Sequence, residues 1–177
     1  AFTNTPFLQE NGFTEETILA LFIPNTYEFY WNTPANKIAN KLAKEYNKFW
    51  NEDRLTKAKA KNLTPIQVYT LASIVHKETA KVDERPDVAG VYLNRLRQDM
   101  PLQADPTIIY AIKLRSGDFD QEIKRVFYND LRIKSPYNTY INKGLPPGPI
   151  AMPDVSAIDA VLNATNHDYI YFCANPD

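Results

Sequence analysis

The sequence predicts an α+β domain with a helical core, short strands and a long loop rich in proline and glycine. Apolar residues recur at steps of three and four within residues 34–50 and 65–82, which is the period of an amphipathic helix. The segment DYIYFCA, residues 168–174, alternates aromatic and β-branched residues as a strand does. Because these elements follow one another irregularly, the pattern favours α+β over alternating βαβ units.

Composition and charge limit the classes of partner. With 177 residues, of which 44% are hydrophobic and 12% aromatic, the chain has enough apolar material for a core in one domain or one and a half. The formal net charge is -1, and Lys and Arg are interleaved with Asp and Glu. This distribution lacks the basic footprint of a nucleic-acid-binding protein, so we expect no nucleic-acid partner.

Cysteine content and hydropathy set further limits. Cys173 is the single cysteine, which excludes an internal disulfide framework and a cysteine-rich zinc site. No apolar run approaches the length of a membrane span, and no signal peptide with a basic start precedes the first residues. We therefore expect a soluble piece, and the start without an initiator Met predicts a cut inside a longer protein.

The N-terminal part is predicted to be mostly helical, and residues 1–60 are a candidate helical subregion. Thr14 begins a short helix that runs through Leu21, and LFIPNTYEFYW then forms an aromatic-rich loop or strand. Pro34 opens a clearer helix, PANKIANKLAKEYNKFW. The charged NEDRLTKAKAKN after it is a solvated helix or loop.

Two helices are predicted around a proline junction. Thr64 is an N-cap residue, and Pro65 occupies the first helical position after it. Steps of three and four from there give one helix face, formed by Val68, Leu71, Val75, Glu78 and Val82. A second helix meets the first at Arg85 and Pro86. Glu78 therefore falls on the predicted buried face.

The C-terminal part combines a helix, a loop and a strand. Asp105 is predicted as the N-cap of a third helix, with Pro106 as its first residue. SPYNTYINKGLPPGPIAMP, residues 135–153, holds too many prolines and glycines for regular structure. Ser156 is predicted to cap a short helix through Leu162, and DYIYFCA follows as the strand.

Glu78 is the strongest candidate for chemistry. A carboxyl group on an apolar helix face is desolvated, which raises its pKa and leaves a proton available near neutral pH, as a general acid requires. A buried carboxylate paired with Arg85 or Arg95 would explain the position equally well. Periodicity alone leaves both interpretations open.

Other motifs have simpler explanations. His76 and Glu78 match half of a zinc deaminase signature, but its Cys-x-x-Cys half needs two cysteines, so His76 is interpreted as a surface or supporting residue and no metal site is predicted. Ser73 lies near His76 without a Gly-x-Ser-x-Gly elbow, so it is interpreted as a packing residue. Tyr137 and Tyr140 offer flat faces for stacking on a sugar, with core packing as the alternative.

Four motifs in this order resemble the YceG-like family of endolytic murein transglycosylases: IPNTYEFYW, ASIVHKETA, ERPDVAGVYLNRLRQDMPLQADPT and SPYNTYINKGLPPGPIAMP. The resemblance extends from Ile23 to the end of the chain. It places the family's catalytic glutamate on the acidic residue of KET, Glu78. It also implies residues that bind or support substrate around the cleft, namely Asn94, Arg95, Gln103, Asp105, Thr107, Asn138 and Tyr140.

The chain departs from the family pattern at His76, where many relatives have a second acidic residue, and at Met152, where Asn or Thr is common. By the same resemblance, longer relatives carry a membrane helix, a LysM-like segment and a late G.H.F stretch. Residues 1–177 are therefore expected to be a catalytic-core piece of a protein anchored by one helix in the cytoplasmic membrane, with its catalytic domain facing the periplasm or exterior. Cell-wall synthases of the penicillin-binding type are candidate partners.

The resemblance implies a lytic transglycosylase that cleaves β-1,4 bonds between N-acetylmuramic acid and N-acetylglucosamine. Hydrolysing glycosidases generally use two carboxylates. In a lytic reaction the muramic acid's own 6-hydroxyl attacks and leaves a 1,6-anhydro end, so Glu78 would serve as acid and then as base. Asp105, interpreted as a helix cap, is expected to be poorly placed as a second catalytic group. No metal or organic cofactor is implied.

Two other functions stay open. An aminodeoxychorismate lyase, a label that some family members have carried, would need pyridoxal phosphate with a Schiff-base lysine and a phosphate cup, and neither is visible in the sequence. A non-catalytic module would hold glycan strands on the aromatic-rich loops and leave Glu78 with a structural role.

Overall fold

A computed structural model of the chain describes residues 5–173, and within that range the fold is all-helical. The helices are α1 (Thr5–Glu10), α2 (Ala35–Phe49), α3 (Glu52–Ala60), α4 (Pro65–Glu78), α5 (Arg85–Arg97), α6 (Asp105–Ser116) and α7 (Val155–Leu162), with 3₁₀ turns at Ile18–Leu21 and Asp130–Arg132. Side chains from α1 to α7 share one hydrophobic core. None of these helices has the length and apolar character needed to cross a bilayer.

The predicted α+β class is wrong, because no strand forms anywhere in the described range. Residues 168–173 of the expected strand are irregular, and residue 174 lies outside the description. Side chains of α5 take the place of a partner strand: the amide of Asn94 and the guanidinium of Arg95 donate to two carbonyl oxygens of this segment at 2.8 and 2.7 Å. An alternating sequence pattern does not determine whether another strand or a side chain will form hydrogen bonds with the backbone of the segment.

Helix α4 forms the centre of the core. It packs against α3, α5, α6 and α7, and every residue from Val68 to Val75 is buried. The helix is therefore enclosed on all sides, which goes beyond the single apolar face predicted from periodicity. Burial ends in the last turn, where Lys77 is exposed and the final residue, Glu78, is half-buried. Val82 lies beyond α4 with 54% of its surface exposed, so it does not extend this face.

The helix starts predicted near Pro34 and at Pro65 are confirmed. Thr64 caps α4, because its hydroxyl accepts the backbone N–H of Gln67 at 3.2 Å while its own N–H donates to the Gln67 side chain at 2.8 Å. This reciprocal capping box satisfies two backbone donors at the helix end. Helix α2 begins at Ala35, directly after Pro34. The charged segment that follows contains α3, which is the helical one of its two predicted states.

Two other helices begin differently from the prediction. In place of a helix from Thr14, only turns and the 3₁₀ segment Ile18–Leu21 form, and the Thr14 N–H donates to the Thr17 hydroxyl at 2.8 Å. Helix α7 is capped by Asp154, whose carboxylate accepts a backbone N–H at 2.9 Å, and not by Ser156. A side chain two residues earlier than expected therefore satisfies this helix end.

A partly buried ionic cluster joins the ends of α4, α5 and α7. Arg85 donates to both carboxylate oxygens of Asp154 at 2.7 and 2.8 Å and to the Ser156 hydroxyl at 2.5 Å. It also donates to the carbonyl oxygen of Thr79, just beyond α4, at 3.5 Å. Partial burial acts to raise the pKa of Asp154, but hydrogen bonds from Arg85, Ser156 and a backbone amide lower it to about 2. The ionised cluster thus fixes the end of α4.

The chain after α7 runs back along α5 and meets it where α5 has no side chain. The Thr165 N–H donates to the Pro86 carbonyl oxygen at 3.1 Å, and His167 Nε2 lies 3.1 Å from the Asp87 carbonyl oxygen. A Cβ atom added to Gly90 would lie 2.7 Å from the Thr165 oxygen and 2.6 Å from His167 Nε2. These distances are too short for packed atoms, so glycine at this position permits the docking.

The loop over residues 135–153 is irregular, as predicted, and Ser73 ties it to α4. Ser73 is fully buried, which agrees with its interpretation as a packing residue. Its hydroxyl donates to the Thr70 carbonyl oxygen at 2.6 Å and accepts the Ile150 N–H at 3.0 Å. The central helix and the loop are therefore joined by a buried hydrogen bond.

We expect Ser73→Ala to lower the free energy of unfolding by about 1–3 kcal/mol, because the buried N–H of Ile150 would lose its acceptor. Chemical denaturation measures the change. Ser116→Ala, at the exposed end of α6, is the control and should change stability by less than about 0.5 kcal/mol. Equal effects of the two substitutions would mean that the bond to Ile150 contributes nothing.

Candidate active site

Glu78 is the last residue of α4, and its carboxyl group faces a small cleft. The turns before it are enclosed by the core, so the helix carries a polar side chain to the edge of an apolar interior. Tyr92, on α5, donates its hydroxyl to Oε2 of Glu78 at 3.1 Å. The carboxyl group is therefore both partly desolvated and held in place by a neutral donor.

The cleft has a volume of about 200 Å³ and brings together residues that are distant in sequence. It is lined by Glu78, Tyr92, Arg95, Gln103, Asp105, Tyr140 and Phe172. The predicted catalytic residue thus meets four predicted substrate-binding residues, Arg95, Gln103, Asp105 and Tyr140.

The sequence did not single out Tyr92 or Phe172. Tyr92 precedes Arg95 by one helical turn, so the period of α5 could have placed it on the same face. Phe172 offers no comparable signal. Its ring packs edge-on against Tyr92, with ring centroids 5.8 Å apart, through a segment whose position the sequence pattern does not specify.

Burial raises the pKa of Glu78 above its ordinary value. The hydrogen bond from Tyr92 acts in the opposite direction, the negative charge of Asp105 adds to the rise, and the positive charge of Arg95 reduces it. The net direction is upward, so Glu78 keeps its proton to higher pH than an exposed glutamate does. This is the property that a general acid needs.

Neither arginine considered as an ionic partner is hydrogen-bonded to Glu78 in the described structure. Arg85 is engaged by Asp154. Arg95 donates to two backbone carbonyl oxygens, through Nε at 2.7 Å and through Nη1 at 2.6 Å. Glu78 is therefore not one half of a hydrogen-bonded ion pair, although the charge of Arg95 still acts on it from a distance.

Asp105 lies in the cleft and does not cap α6, so the predicted cap is wrong. The N-cap position belongs to Ala104, which has no capping side chain, and Asp105 is the first helical residue. Its carboxylate accepts the hydroxyl of Tyr140 at 2.5 Å. Burial and then this hydrogen bond raise the pKa of Tyr140, which keeps the phenol protonated as a donor. A second carboxylate thus faces the same cleft as Glu78.

Gln103 reaches the cleft through left-handed backbone geometry, with φ at 50°. Its N–H donates to the Thr139 carbonyl oxygen at 3.0 Å. Thr107, which the resemblance included in the site, is fully buried, and its hydroxyl lies 2.8 Å from that of Thr139. Thr107 therefore supports the loop that positions Gln103 and is not itself in the cleft lining.

The structure places three further predicted residues behind the cleft. Asn94 is buried and donates to the His167 carbonyl oxygen at 2.7 Å. Asn138 is buried and donates to two backbone carbonyl oxygens at 3.0 and 2.9 Å. Tyr137 packs in the core against Tyr110, with ring centroids 4.7 Å apart. Asn94 and Asn138 hold the surrounding backbone and Tyr137 packs in the core, and none of the three lines the cleft.

His76 is half-buried beside the ionic cluster, with Nδ1 3.4 Å from both Asp154 Oδ2 and Arg85 Nη2. Burial lowers its pKa, while the charge of Asp154 opposes the shift and that of Arg85 adds to it. Within residues 5–173, no three His, Cys, Asp or Glu side chains converge as metal ligands would. His76 thus belongs to the surroundings of Arg85.

A helical fold that presents one desolvated carboxyl group beside a second carboxylate and two phenols defines a candidate acid–base site. The family comparison identifies the fold that carries it, because the model of the YceG-like family matches residues 3–177. The chain belongs to the YceG-like family, as its motifs indicated.

Curated relatives named endolytic murein transglycosylase come from Streptococcus pneumoniae serotype 2 strain D39 and Bacillus subtilis strain 168. This chain is 38% identical to the pneumococcal protein over 154 residues, which cover 86% of this chain and 27% of the relative. It is 38% identical to the Bacillus protein over 152 residues, which cover 85% of this chain and 40% of the relative. The chain therefore spans less than half the length of either relative.

A solved structure is similar as well. The crystal structure of a YceG-like protein from Listeria monocytogenes matches this fold with a TM-score of 0.76 and 30% sequence identity. The match covers 98% of this chain and 58% of the Listeria chain. Fold and sequence thus give the same family.

We expect Glu78→Gln to raise the melting temperature at mildly alkaline pH. The pKa of Glu78 is raised in the folded state, so ionisation costs folding free energy above that pKa, and the cost disappears as the pH falls below the unfolded-state pKa. Glutamine keeps the shape of the side chain without the charge. Thermal unfolding across pH measures the difference, with exposed Glu52→Gln on α3 as the control. A difference that is constant with pH would contradict the desolvation of Glu78.

Proposed function

We propose that this chain is the catalytic part of an endolytic lytic transglycosylase that cleaves β-1,4 bonds between N-acetylmuramic acid and N-acetylglucosamine in peptidoglycan strands. The observation that carries the proposal is the half-buried carboxyl group of Glu78, whose raised pKa suits it to donate a proton. Membership of the YceG-like family and the names of the relatives support the same substrate class.

In the proposed reaction Glu78 acts first as an acid and then as a base. It donates its proton to the glycosidic oxygen as the bond from that oxygen to the anomeric carbon breaks. The 6-hydroxyl of the same muramic acid attacks the anomeric carbon, and the Glu78 carboxylate accepts the hydroxyl proton. One fragment leaves with a new hydroxyl and the other closes as a 1,6-anhydro ring, so no water is consumed. Attack from within the same sugar gives a proximity advantage.

The position of Asp105 bears on the choice between a lytic and a hydrolytic reaction. Its carboxylate lies in the cleft with Glu78, so the site holds two carboxylates, as hydrolysing glycosidases generally do. The lytic route is instead favoured by the relatives, which are named transglycosylases. We assign Asp105 an electrostatic role, in which its negative charge adds to burial in raising the pKa of Glu78 and keeps the acid protonated.

Arg95, Gln103 and Tyr140 are proposed to bind the glycan strand. The guanidinium of Arg95 is fixed by two carbonyl oxygens and lies 5.1 Å from the ring centroid of Tyr171. Tyr171 is 68% exposed, and its flat face suits the apolar side of a sugar ring. The amide of Gln103 provides both a donor and an acceptor for sugar hydroxyls.

The other two functions gain no support. The relatives are named transglycosylases, and none of their names points to a pyridoxal phosphate enzyme. A non-catalytic glycan-binding module does not require a glutamate whose pKa is raised. A general acid, in contrast, requires a carboxyl group that stays protonated to higher pH, and the raised pKa of Glu78 meets this requirement.

This chain matches only part of each longer relative, so further features are proposed for a longer protein that contains it. The matched regions cover 27% and 40% of the two relatives, so the rest of such a protein contributes features of its own. From the family resemblance we propose one membrane-spanning anchor, catalysis outside the cytoplasmic membrane and association with cell-wall synthases.

We expect digestion of purified peptidoglycan to yield fragments that end in 1,6-anhydro-N-acetylmuramic acid, with cuts inside the strands. Glu78→Gln should slow cleavage by at least about 10²- to 10⁴-fold, because an amide cannot deliver the proton. Mass spectrometry identifies the ends, since an anhydro end is lighter by one water than a hydrolysed reducing end.

The matched control is Glu52→Gln on the exposed surface of α3, which should cleave at the rate of the unsubstituted chain. Reducing ends in place of anhydro ends would identify water as the nucleophile and Asp105 as its base. Glycan binding without cleavage by the folded chain would favour the non-catalytic module.

We expect Asp105→Asn to shift the alkaline limb of the pH–rate profile to lower pH. Removing the negative charge lowers the pKa of Glu78, so the protonated acid is lost earlier as the pH rises. The amide oxygen can still accept the hydroxyl of Tyr140, which preserves the geometry of the cleft. The pH dependence of kcat/KM measures the shift. A lower rate at every pH with an unmoved limb would instead assign Asp105 a direct chemical role.

A further inference from the structure

A cavity of about 840 Å³, larger than the cleft of Glu78, lies on the other face of α5. Tyr92 and Arg95 line the cleft, whereas Gly90, Leu93 and Arg97 line the cavity, and the helical period places these two sets on opposite faces. The end of α3, the first half of α4, the Pro/Gly loop and the chain after α7 complete its walls. Its volume falls in the range of small-molecule sites.

Two cations face this cavity, and neither has a carboxylate partner among the described residues. The ammonium group of Lys61, just after α3, has no hydrogen bond or ion pair to any residue that the structure describes. Arg97 donates to the side-chain oxygen of Asn94 with one nitrogen, which leaves the rest of its guanidinium available. Asp and Glu are absent from the described lining of the cavity. The site therefore carries positive charge that the described residues do not neutralise.

The charge of Lys61 is only weakly disfavoured, because the side chain is partly buried, Arg97 is exposed, and solvent screens the repulsion between them. Burial lowers the pKa of Lys61, and the positive charge of Arg97 lowers it further. Lys57, one turn earlier on the chain, is by contrast paired with Asp53 at 2.8 Å. An anion placed between Lys61 and Arg97 would remove the repulsion and gain charge-assisted hydrogen bonds.

The rest of the lining combines apolar side chains with neutral polar ones, namely Asn62, Gln67, Thr70, Asn94, Thr165 and Asn166. Leu63, Ile66, Leu93 and Leu145 face it, and the first turn of α4 contributes the positive end of a helix dipole. We propose that this cavity binds an anionic ligand with an apolar body, whose carboxylate or phosphate group lies between Lys61 and Arg97. The apolar body packs on the leucine and isoleucine side chains.

Two sources supply this chemistry. One is the acidic peptide stem of peptidoglycan, whose free carboxylates accompany small apolar side chains, and this source rests on the proposed function. The other is a free phosphate-bearing small molecule, which does not depend on that function.

Isothermal titration calorimetry at constant ionic strength tests the site with three probes: inorganic phosphate, a muramoyl peptide with free carboxylates, and the same peptide with its carboxylates amidated. We expect saturable binding of at least one anionic probe and none of the amidated peptide. Lys61→Gln and Arg97→Gln should each weaken binding by about tenfold or more, as loss of one charge-assisted hydrogen bond predicts. Lys59→Gln, an exposed lysine of α3 outside the cavity lining, is the control and should bind normally.

Binding of the acidic peptide alone assigns the cavity to the peptide stem, and binding of phosphate alone assigns it to a phosphate-bearing ligand. Absence of saturable binding by the folded chain, or affinities unchanged by both substitutions, would overturn the site. Thermal unfolding without ligand checks that each variant folds. If Arg97→Gln does not fold, the binding test relies on Lys61→Gln. Peptidoglycan cleavage by the same variants is measured separately, so failure of this site is distinguishable from failure of the Glu78 reaction.

Discussion

The complete enclosure of α4 is the constraint on which the rest of the structure depends. From Val68 to Val75 the helix is buried on every side, so a rotation would disrupt close packing on all of its faces. Its last residue, Glu78, is therefore delivered to a fixed place at the edge of the core. Arg85 holds the same end through the ionic cluster. The desolvation of the carboxyl group is thus built into the folded chain before any substrate arrives.

The opposite wall of the cleft consists mainly of loops. Buried polar side chains, and not the strands of a sheet, form hydrogen bonds with the backbone of these loops. Backbone groups in irregular segments need hydrogen-bond partners, and Asn94, Asn138 and Thr139 provide them. This division of labour explains why motif residues of different kinds occur together. Some, such as Asp105 and Gln103, line the cleft, while others hold the backbone on which those residues stand.

Features that depend on residues close together in the sequence could be predicted, and features that depend on distant residues could not. The start of α4 at Pro65 depends on residues within one turn and was predicted correctly. The role of Asp105 depends on Tyr140, thirty-five positions away, so local cap preference gave the wrong partner. The strand failed for the same reason, since α5 satisfies its carbonyl groups. Helical period placed Glu78 on the buried face, whereas the structure shows it half-buried, and only the fold brought Tyr92 to it.

Gly90 has no side chain and does not line the cleft, but the geometry of the cleft depends on it. The chain after α7 approaches α5 only because this residue lacks a side chain, and carbonyl oxygens of that chain hold Asn94 and Arg95. A larger residue at position 90 would push the chain outward and release the guanidinium beside the cleft. In evolutionary terms, a sequence descended from this one can replace Gly90 only by moving the chain after α7, and with it the carbonyl oxygen that holds Arg95 at the cleft.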